Sequence, residues 1–102
     1  MSNVSKTKNI QFAKHILSFL NDVAHCGLSE EEKIEFLFAF LTSSEMKSFS
    51  QRIDIVQLLK SGLTQRDISL KLKVGIATIT RGSRTLQEHE EIFNRVLEKN
   101  KL

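Results

Sequence analysis

Apolar residues recur along this chain at helical spacing. Ile10, Ala13, Ile16, Leu17, Leu20, Val23 and Ala24 fall three and four positions apart. They form the stripe of an amphipathic helix over about residues 7–24, which Gly27 ends as a C-terminal glycine does. Residues 1–6 are polar and read as a flexible arm. Ser29-Glu30-Glu31-Glu32 is a capping box, in which the hydroxyl accepts from the amide three residues on and Glu32 reaches back. The helix it opens is apolar nearly all round, through Ile34, Phe36, Leu37, Phe38, Phe40 and Leu41, so it should be covered on more than one side. Thr42-Ser43-Ser44-Glu45 is a second capping box. It starts a helix with Met46, Phe49, Ile53, Val56 and Leu59 on its stripe, widened by Ile55 and Leu58, that stops at Ser61-Gly62.

The stretch from Thr64 to Leu86 organises the rest. Thr64-Gln65-Arg66-Asp67 opens a helix, with Asp67 a shorter substitute for the capping glutamate. Residues 71–75 make a turn, and a second helix runs over about residues 76–86. Ile68 and Leu72 lie one helical turn apart, and Val74 and Ile79 let the second helix fold back across the first. Ser69 is small where the two would cross. Outward positions of the second helix are Ala77, Thr80, Arg81 and Arg84, short groups and guanidiniums that suit base edges and phosphates. The β-branched run from Ile76 to Thr80 suits a strand, but its helical surroundings argue against one. A last helix over about residues 88–100 packs through Ile92, Phe93, Val96 and Leu97. Without repeat, low-complexity segment or linker, the 102 residues read as a single all-α domain, 1–102.

Charge sharpens the picture. The net charge is +3, but residues 60–84 carry six basic side chains (Lys60, Arg66, Lys71, Lys73, Arg81, Arg84) against one acid, Asp67. Residues 30–59 carry six acids against three bases. A basic patch beside an acidic body is the footprint of a polyanion-binding protein; the plain alternative is a solvated face. No run approaches the ~20 apolar residues of a membrane span, the N-terminus has no secretory apolar core, and one cysteine makes no disulfide framework. The expected location is the cytoplasm, with no membrane partner. A chain this short leaves apolar helix faces over, which an obligate dimer would cover. His25-Cys26 has no second pair at zinc spacing, so it reads as a helix end with a buried thiol, and no metal is expected. His15 and His89 read as surface residues. No nucleophile–base arrangement or glycine-rich phosphate loop appears, so an enzyme is not expected.

Val74 to Leu86, VGIATITRGSRTL, resembles the recognition helix of the bacterial tryptophan repressor family, and TQRDI precedes it at the family's distance. The resemblance spans about residues 36–86. It implies a six-helix intertwined homodimer with a helix-turn-helix. L-tryptophan would bind as corepressor, with no other cofactor, and set the two reading heads one DNA turn apart. The dimer would then bind double-stranded operator DNA and repress tryptophan biosynthesis or uptake genes. By position, Arg52 and Arg81 match arginines that flank the indole, a cation–π contact of roughly 0.5–2 kcal/mol, and Arg81 also takes the carboxylate. Main-chain carbonyls of Ala39 and Leu41, at a helix C-terminus, match those that receive the ammonium. Thr42, Thr78 and Gly82 match pocket positions, and Thr85 stands where the family has serine. Gly82 would leave room for the indole, so Gly82→Leu should block the pocket and leave the fold largely intact. For DNA, Gln65 and Arg66 match phosphate contacts. Ile76, Ala77 and Thr80 match the groove floor, with Gly75 allowing close approach. Ser83 and Arg84 match backbone contacts, and Ser69 stands in place of a basic contact. The chain departs from the family at Lys73, where a glycine is usual and a left-handed backbone costs ~1 kcal/mol, and in a shorter Arg52-to-Thr64 spacing.

Other readings remain beside these. The chain could be a ligand-independent or differently liganded DNA-binding regulator of the same superfamily, or a protein-interaction module. Singly, Arg52 suits an ion pair, Arg81 a phosphate contact, Thr42 a plain helix cap, and Gly82 a helix crossing.

Overall fold

A computed structural model describes residues 3–99. Among them the chain is all-helical, with six helices and no strand. Backbone contacts divide it into two compact units, Met1–Thr42 and Ser43–Leu102. No helix among the described residues is long and apolar enough to cross a membrane.

The first unit holds α1 (Asn3–His25) and α2 (Glu30–Phe40). α1 begins about four residues before the expected start at residue 7, because nothing in Asn3–Lys6 breaks a helix; of the predicted arm, Met1 and Ser2 lie outside the described residues. Gly27 turns the chain at φ +82°, a conformation that costs glycine nothing. Both halves of the Ser29 box are made: the Ser29 Oγ accepts from the Glu32 amide at 3.2 Å, and the Ser29 amide donates to Glu32 Oε1 at 2.9 Å. Phe19 of α1 meets Phe36 and Phe40 of α2, with ring centroids 5.6 and 5.2 Å apart. Yet α2 has no fully buried residue, and Phe38 is 67% exposed. Cys26 departs from expectation: its thiol is exposed, because it sits in the turn just beyond the end of α1.

The second unit holds α3 (Ser43–Lys60), α4 (Gln65–Leu72), α5 (Ile76–Glu88) and α6 (Glu90–Lys99). α5 is central, packing on α3, α4 and α6. Ile55, Ile68 and Ile79 are its fully buried core, flanked by Leu58, Leu59, Leu63, Leu72 and Val74, as the spacing of Ile68, Leu72, Val74 and Ile79 predicts. α5 runs two residues past the expected end and breaks at His89, whose amide still reaches the Thr85 carbonyl; neither glycine nor proline marks that boundary.

The turn between α4 and α5 is tightly bonded. Thr64 caps α4 by accepting from the Asp67 amide at 3.1 Å. Lys73 takes the left-handed conformation, φ 56° and ψ 47°, and is the one non-glycine residue with positive φ among those described. Ser69 compensates. Its carbonyl accepts from the Lys73 and Val74 amides, and its hydroxyl donates back to the Val74 carbonyl at 2.6 Å. Lys73→Gly should relieve the strain of about 1 kcal/mol and, net of glycine's greater unfolded-state entropy of roughly 0.5–1 kcal/mol, raise stability by up to about 0.5 kcal/mol. A denaturation midpoint that moves up at constant slope and fixed protein concentration would show it; a lower midpoint would mean that Lys73 makes contacts worth more than the strain.

Candidate functional site

α3 and α5 carry the same pattern on facing stripes. On α3, Ser48, Gln51, Arg52 and Ile55 fall at i, i+3, i+4 and i+7; on α5, Thr78, Arg81, Gly82 and Thr85 do likewise. That spacing puts each set on one helix face. All eight residues line one cavity of about 520 Å³, with Ile53, Val56 and Phe93 completing it. This lies within the ~300–1,000 Å³ of small-molecule sites. Buried Ile55 forms its floor, while the Arg52 and Arg81 side chains are exposed. The lining offers aliphatic and aromatic surface for a flat apolar body, hydroxyls for hydrogen bonds, and two guanidiniums for a carboxylate.

Of the predicted ligand residues, the structure brings together Arg52, Thr78, Arg81, Gly82 and Thr85. Ala39, Leu41 and Thr42 belong to the first unit, at the C-terminal end of α2. Leu41 is the cap of that helix, and its amide donates to the Leu37 carbonyl at 2.9 Å.

Gly82 proves to be more than cavity wall. A Cβ built there would stand 2.7 Å from Ile55 Cγ2, a distance at which the branched, buried Ile55 must move. The glycine is what lets α5 cross α3 so closely. The expectation that Gly82→Leu would leave the fold largely intact is therefore wrong: the added side chain would meet the core before it filled the cavity.

The exposed face of α5 carries different chemistry. Ile76, Ala77, Thr80 and Arg84 are exposed, and Ser83 is half-buried. Gly75 caps α5 with ordinary backbone angles, and nothing lies within 4 Å of a Cβ placed there, so nothing inside the chain demands glycine at that position. At the start of α4, Arg66 is exposed and Gln65 half-buried. Ser69 is half-buried, with its hydroxyl proton engaged at Val74. Arg66, Lys71, Lys73, Arg81 and Arg84 are all exposed, and α5 has no acid in its first turn. Among the described residues, no group of three or more His, Cys, Asp or Glu side chains is placed to hold a metal.

Comparison with known proteins settles the kinship. The sequence model of the family described as Trp repressor protein matches residues 14–101. This chain belongs to the Trp repressor family. A Trp operon repressor homolog of Vibrio vulnificus (strain YJ016) is 38% identical over 85 residues, which cover 78% of this chain and 83% of that protein. Another, from Chlamydia trachomatis serovar D, is 42% identical over 77 residues, covering 72% of this chain and 82% of the relative. A third, from Vibrio parahaemolyticus, is 44% identical over 71 residues, covering 69% of each. Trp repressor membership places the chain among regulators, not enzymes.

Six cavity residues of this Trp repressor family member are not among the ligand residues expected from sequence: Ser48, Gln51, Ile53, Ile55, Val56 and Phe93. The repeated stripe on α3 and α5 was the available signal for the first two. Phe93 carries no such signal, because its place depends on how α6 folds back on α5 beyond the break at His89.

Proposed function

We propose that this protein is a sequence-specific DNA-binding transcriptional repressor. It acts as a homodimer on tryptophan biosynthesis or uptake genes, with L-tryptophan as corepressor. The observation that carries this reading is the cavity, in which the two arginines matched to indole flanking, Arg52 and Arg81, meet Thr78, Gly82 and Thr85. The indole would lie on the apolar lining between guanidiniums, with its carboxylate on Arg81; the carbonyls of Ala39 and Leu41 are the main-chain groups that, by the family resemblance, would receive the ammonium. The helix that carries four of the lining residues, α5, presents Ile76, Ala77 and Thr80 outward, where they would enter the major groove as the second helix of a helix-turn-helix. Gln65, Arg66, Ser83 and Arg84 would meet phosphate, Gly75 would admit the backbone closely, and Ser69 would brace the turn beside it. One helix thus holds the ligand on one face and DNA on another.

The coupling follows from that sharing. A ligand fixed between α3 and α5 favours the orientation of α5 in which both heads of a dimer fit successive grooves, so DNA must tighten tryptophan binding by the same factor. Dimerisation is supported by the apolar surface each chain leaves uncovered: Ile16, Leu17 and Leu20 on α1, Phe38 and Phe40 on α2, and Ile92 and Val96 on α6 are all more than half exposed. Only three side chains among the described residues form the buried hydrophobic core, too few for a stable solitary chain. In this reading both units of the chain belong to one domain, 1–102, completed by the second subunit, and the protein works in the cytoplasm.

The chain contains neither tryptophan nor tyrosine, so all indole emission in a mixture with L-tryptophan comes from the ligand. Titrating protein into L-tryptophan should give a saturable emission change, matched by calorimetric heat, at one ligand per subunit. Duplex DNA should raise the affinity. A flat response in both emission and heat would remove the tryptophan role and favour the regulator that works without it or with another ligand.

A further inference from the structure

One side-chain contact ties the start of α4 to the middle of α5. Thr80 Oγ1 donates to Gln65 Oε1 at 2.8 Å and also lies 3.0 Å from the Ile76 carbonyl. A threonine hydroxyl has one proton, so these two bonds cannot both be donated at once. With the proton on the Ile76 carbonyl, a common arrangement for threonine inside a helix, Thr80 could only accept, and the Gln65 amide would turn its carbonyl outward. With the proton on Gln65 Oε1, the Gln65 NH₂ is the end left facing away from Thr80. The two states therefore show opposite faces of one amide to whatever approaches: an acceptor in the first, a pair of donors in the second. Phosphate oxygens only accept, so a DNA backbone beside α4 selects the second state.

We infer that Thr80 is a positioning residue: its hydroxyl holds the Gln65 amide with its NH₂ outward, ready to donate to a DNA phosphate. This rests on the DNA-binding reading above and adds to it a role for Thr80 through Gln65, separate from any contact Thr80 makes with a base. The advantage is preorganisation. A free glutamine must be ordered as it binds, whereas one fixed beforehand keeps that part of the affinity. Gln65 is half-buried, so its stem is already confined and only the amide orientation remains to be set.

The test is a double-mutant cycle with a spectroscopic arm. Wild type, Thr80→Val, Thr80→Ser, Gln65→Ala and the Thr80→Val/Gln65→Ala double variant would be measured on duplex DNA selected from a randomised pool by the wild-type protein. The side-chain amide signal of Gln65 would be followed by NMR in the free protein. Thr80→Val and Gln65→Ala should each weaken binding roughly three- to tenfold, as loss of one hydrogen bond does. The loss from Thr80→Val should be smaller in the Gln65→Ala background than in wild type, any remainder being a contact of Thr80 itself with DNA, and Thr80→Ser should restore wild-type affinity. Gln65→Glu, which can still accept from Thr80 but turns an anion outward, should lose more than Gln65→Ala. In the free protein, the Gln65 NH₂ should be ordered in wild type and Thr80→Ser, and mobile in Thr80→Val. Additive losses on DNA, or a Gln65 signal that does not change in Thr80→Val, would overturn the role of Thr80 alone. Absence of salt-dependent binding by the wild type to any duplex would overturn the DNA-binding reading itself, and this role with it.

Discussion

Replacing Gly82 with leucine should destabilise the second unit by about 3 kcal/mol or more before it closes any cavity. The alanine variant isolates the cause. Its Cβ would arrive 2.7 Å from Ile55 Cγ2, with Leu59 Cδ1 next at 3.9 Å. Ile55 is 3% exposed and packs in the core with Ile68 and Ile79, so it has no free space to retreat into, and overpacking of this kind costs about 1–3 kcal/mol. Alanine recovers up to about 1 kcal/mol of helix propensity over glycine, so Gly82→Ala should be destabilising by about 0–2 kcal/mol. Leucine adds three more heavy atoms and should cost ~3 kcal/mol or more, the upper end of overpacking and a large part of the ~5–15 kcal/mol that holds a small protein folded. Ile55→Ala decides between this contact and a general intolerance of the site. It removes Cγ2 at its own cost of about 2–5 kcal/mol, and in that background Gly82→Ala should become neutral or stabilising. Chemical denaturation of the four proteins at one concentration reads the sign. An equal penalty for Gly82→Ala with and without Ile55 would show that the close approach to Ile55 is not what requires glycine.

Gly82 also marks where reading from sequence runs out. Its place on the α5 stripe that lines the cavity is legible, because Thr78, Arg81, Gly82 and Thr85 keep helical spacing and match a known family string. Its packing role is not, since that depends on how closely α5 approaches Ile55, which precedes Gly82 in the chain by more than the length of α3. The same division runs through the fold. The Ser29 and Thr64 caps are local chemistry, written in four consecutive residues, and both form. The core triad follows from periodicity for Ile68 and Ile79. Boundaries without a punctuating residue were displaced: α1 starts early, because no proline or glycine stops it, and α5 ends at His89, because nothing before it breaks a helix.

The polar residues of α4 and α5 show a subtler limit. From sequence, Gln65 and Thr80 match DNA contacts, while Ser69 suits the helix crossing and stands in place of a basic contact. The structure gives each an internal partner as well: Gln65 and Thr80 bond to each other, and Ser69 bonds to Val74. Sequence reports that a side chain can donate or accept, but not which of its hydrogen bonds is already taken. Lys73 is the converse. Its left-handed backbone is legible from the family resemblance, which has glycine at that turn position, while the Ser69 hydrogen bonds that fasten the turn become visible only in the fold.

Arg81→Ala should abolish the response to tryptophan. Arg81 lines the cavity and lies on the exposed, basic side of α5, so in the proposed complex it serves the ligand twice, through its face against the indole and its fork on the carboxylate. The cation–π contact contributes roughly 0.5–2 kcal/mol, and a charge-assisted hydrogen bond roughly 1.5–3 kcal/mol. Because both come from one guanidinium and are not independent, a combined loss of about 2–4 kcal/mol is reasonable, on the order of 30- to 1,000-fold in affinity. Indole-3-propionate, which keeps the ring and the carboxylate but lacks the ammonium, separates the partners: Arg81→Ala should weaken it as much as tryptophan, whereas any contribution from the α2 carbonyls applies to tryptophan alone. DNA binding supplies a second readout. Arg84→Ala, on the outward face of the same helix, should lower affinity across all sequences and reduce the salt slope by about one, with tryptophan affinity unchanged. If Arg81→Ala behaves the same way, weakening DNA uniformly and leaving tryptophan affinity intact, then Arg81 is a phosphate contact and the ligand site cannot be built around it. If it removes the tryptophan response and leaves the tryptophan-free DNA affinity nearly unchanged, the guanidinium acts through the ligand, and the two faces of α5 are separable.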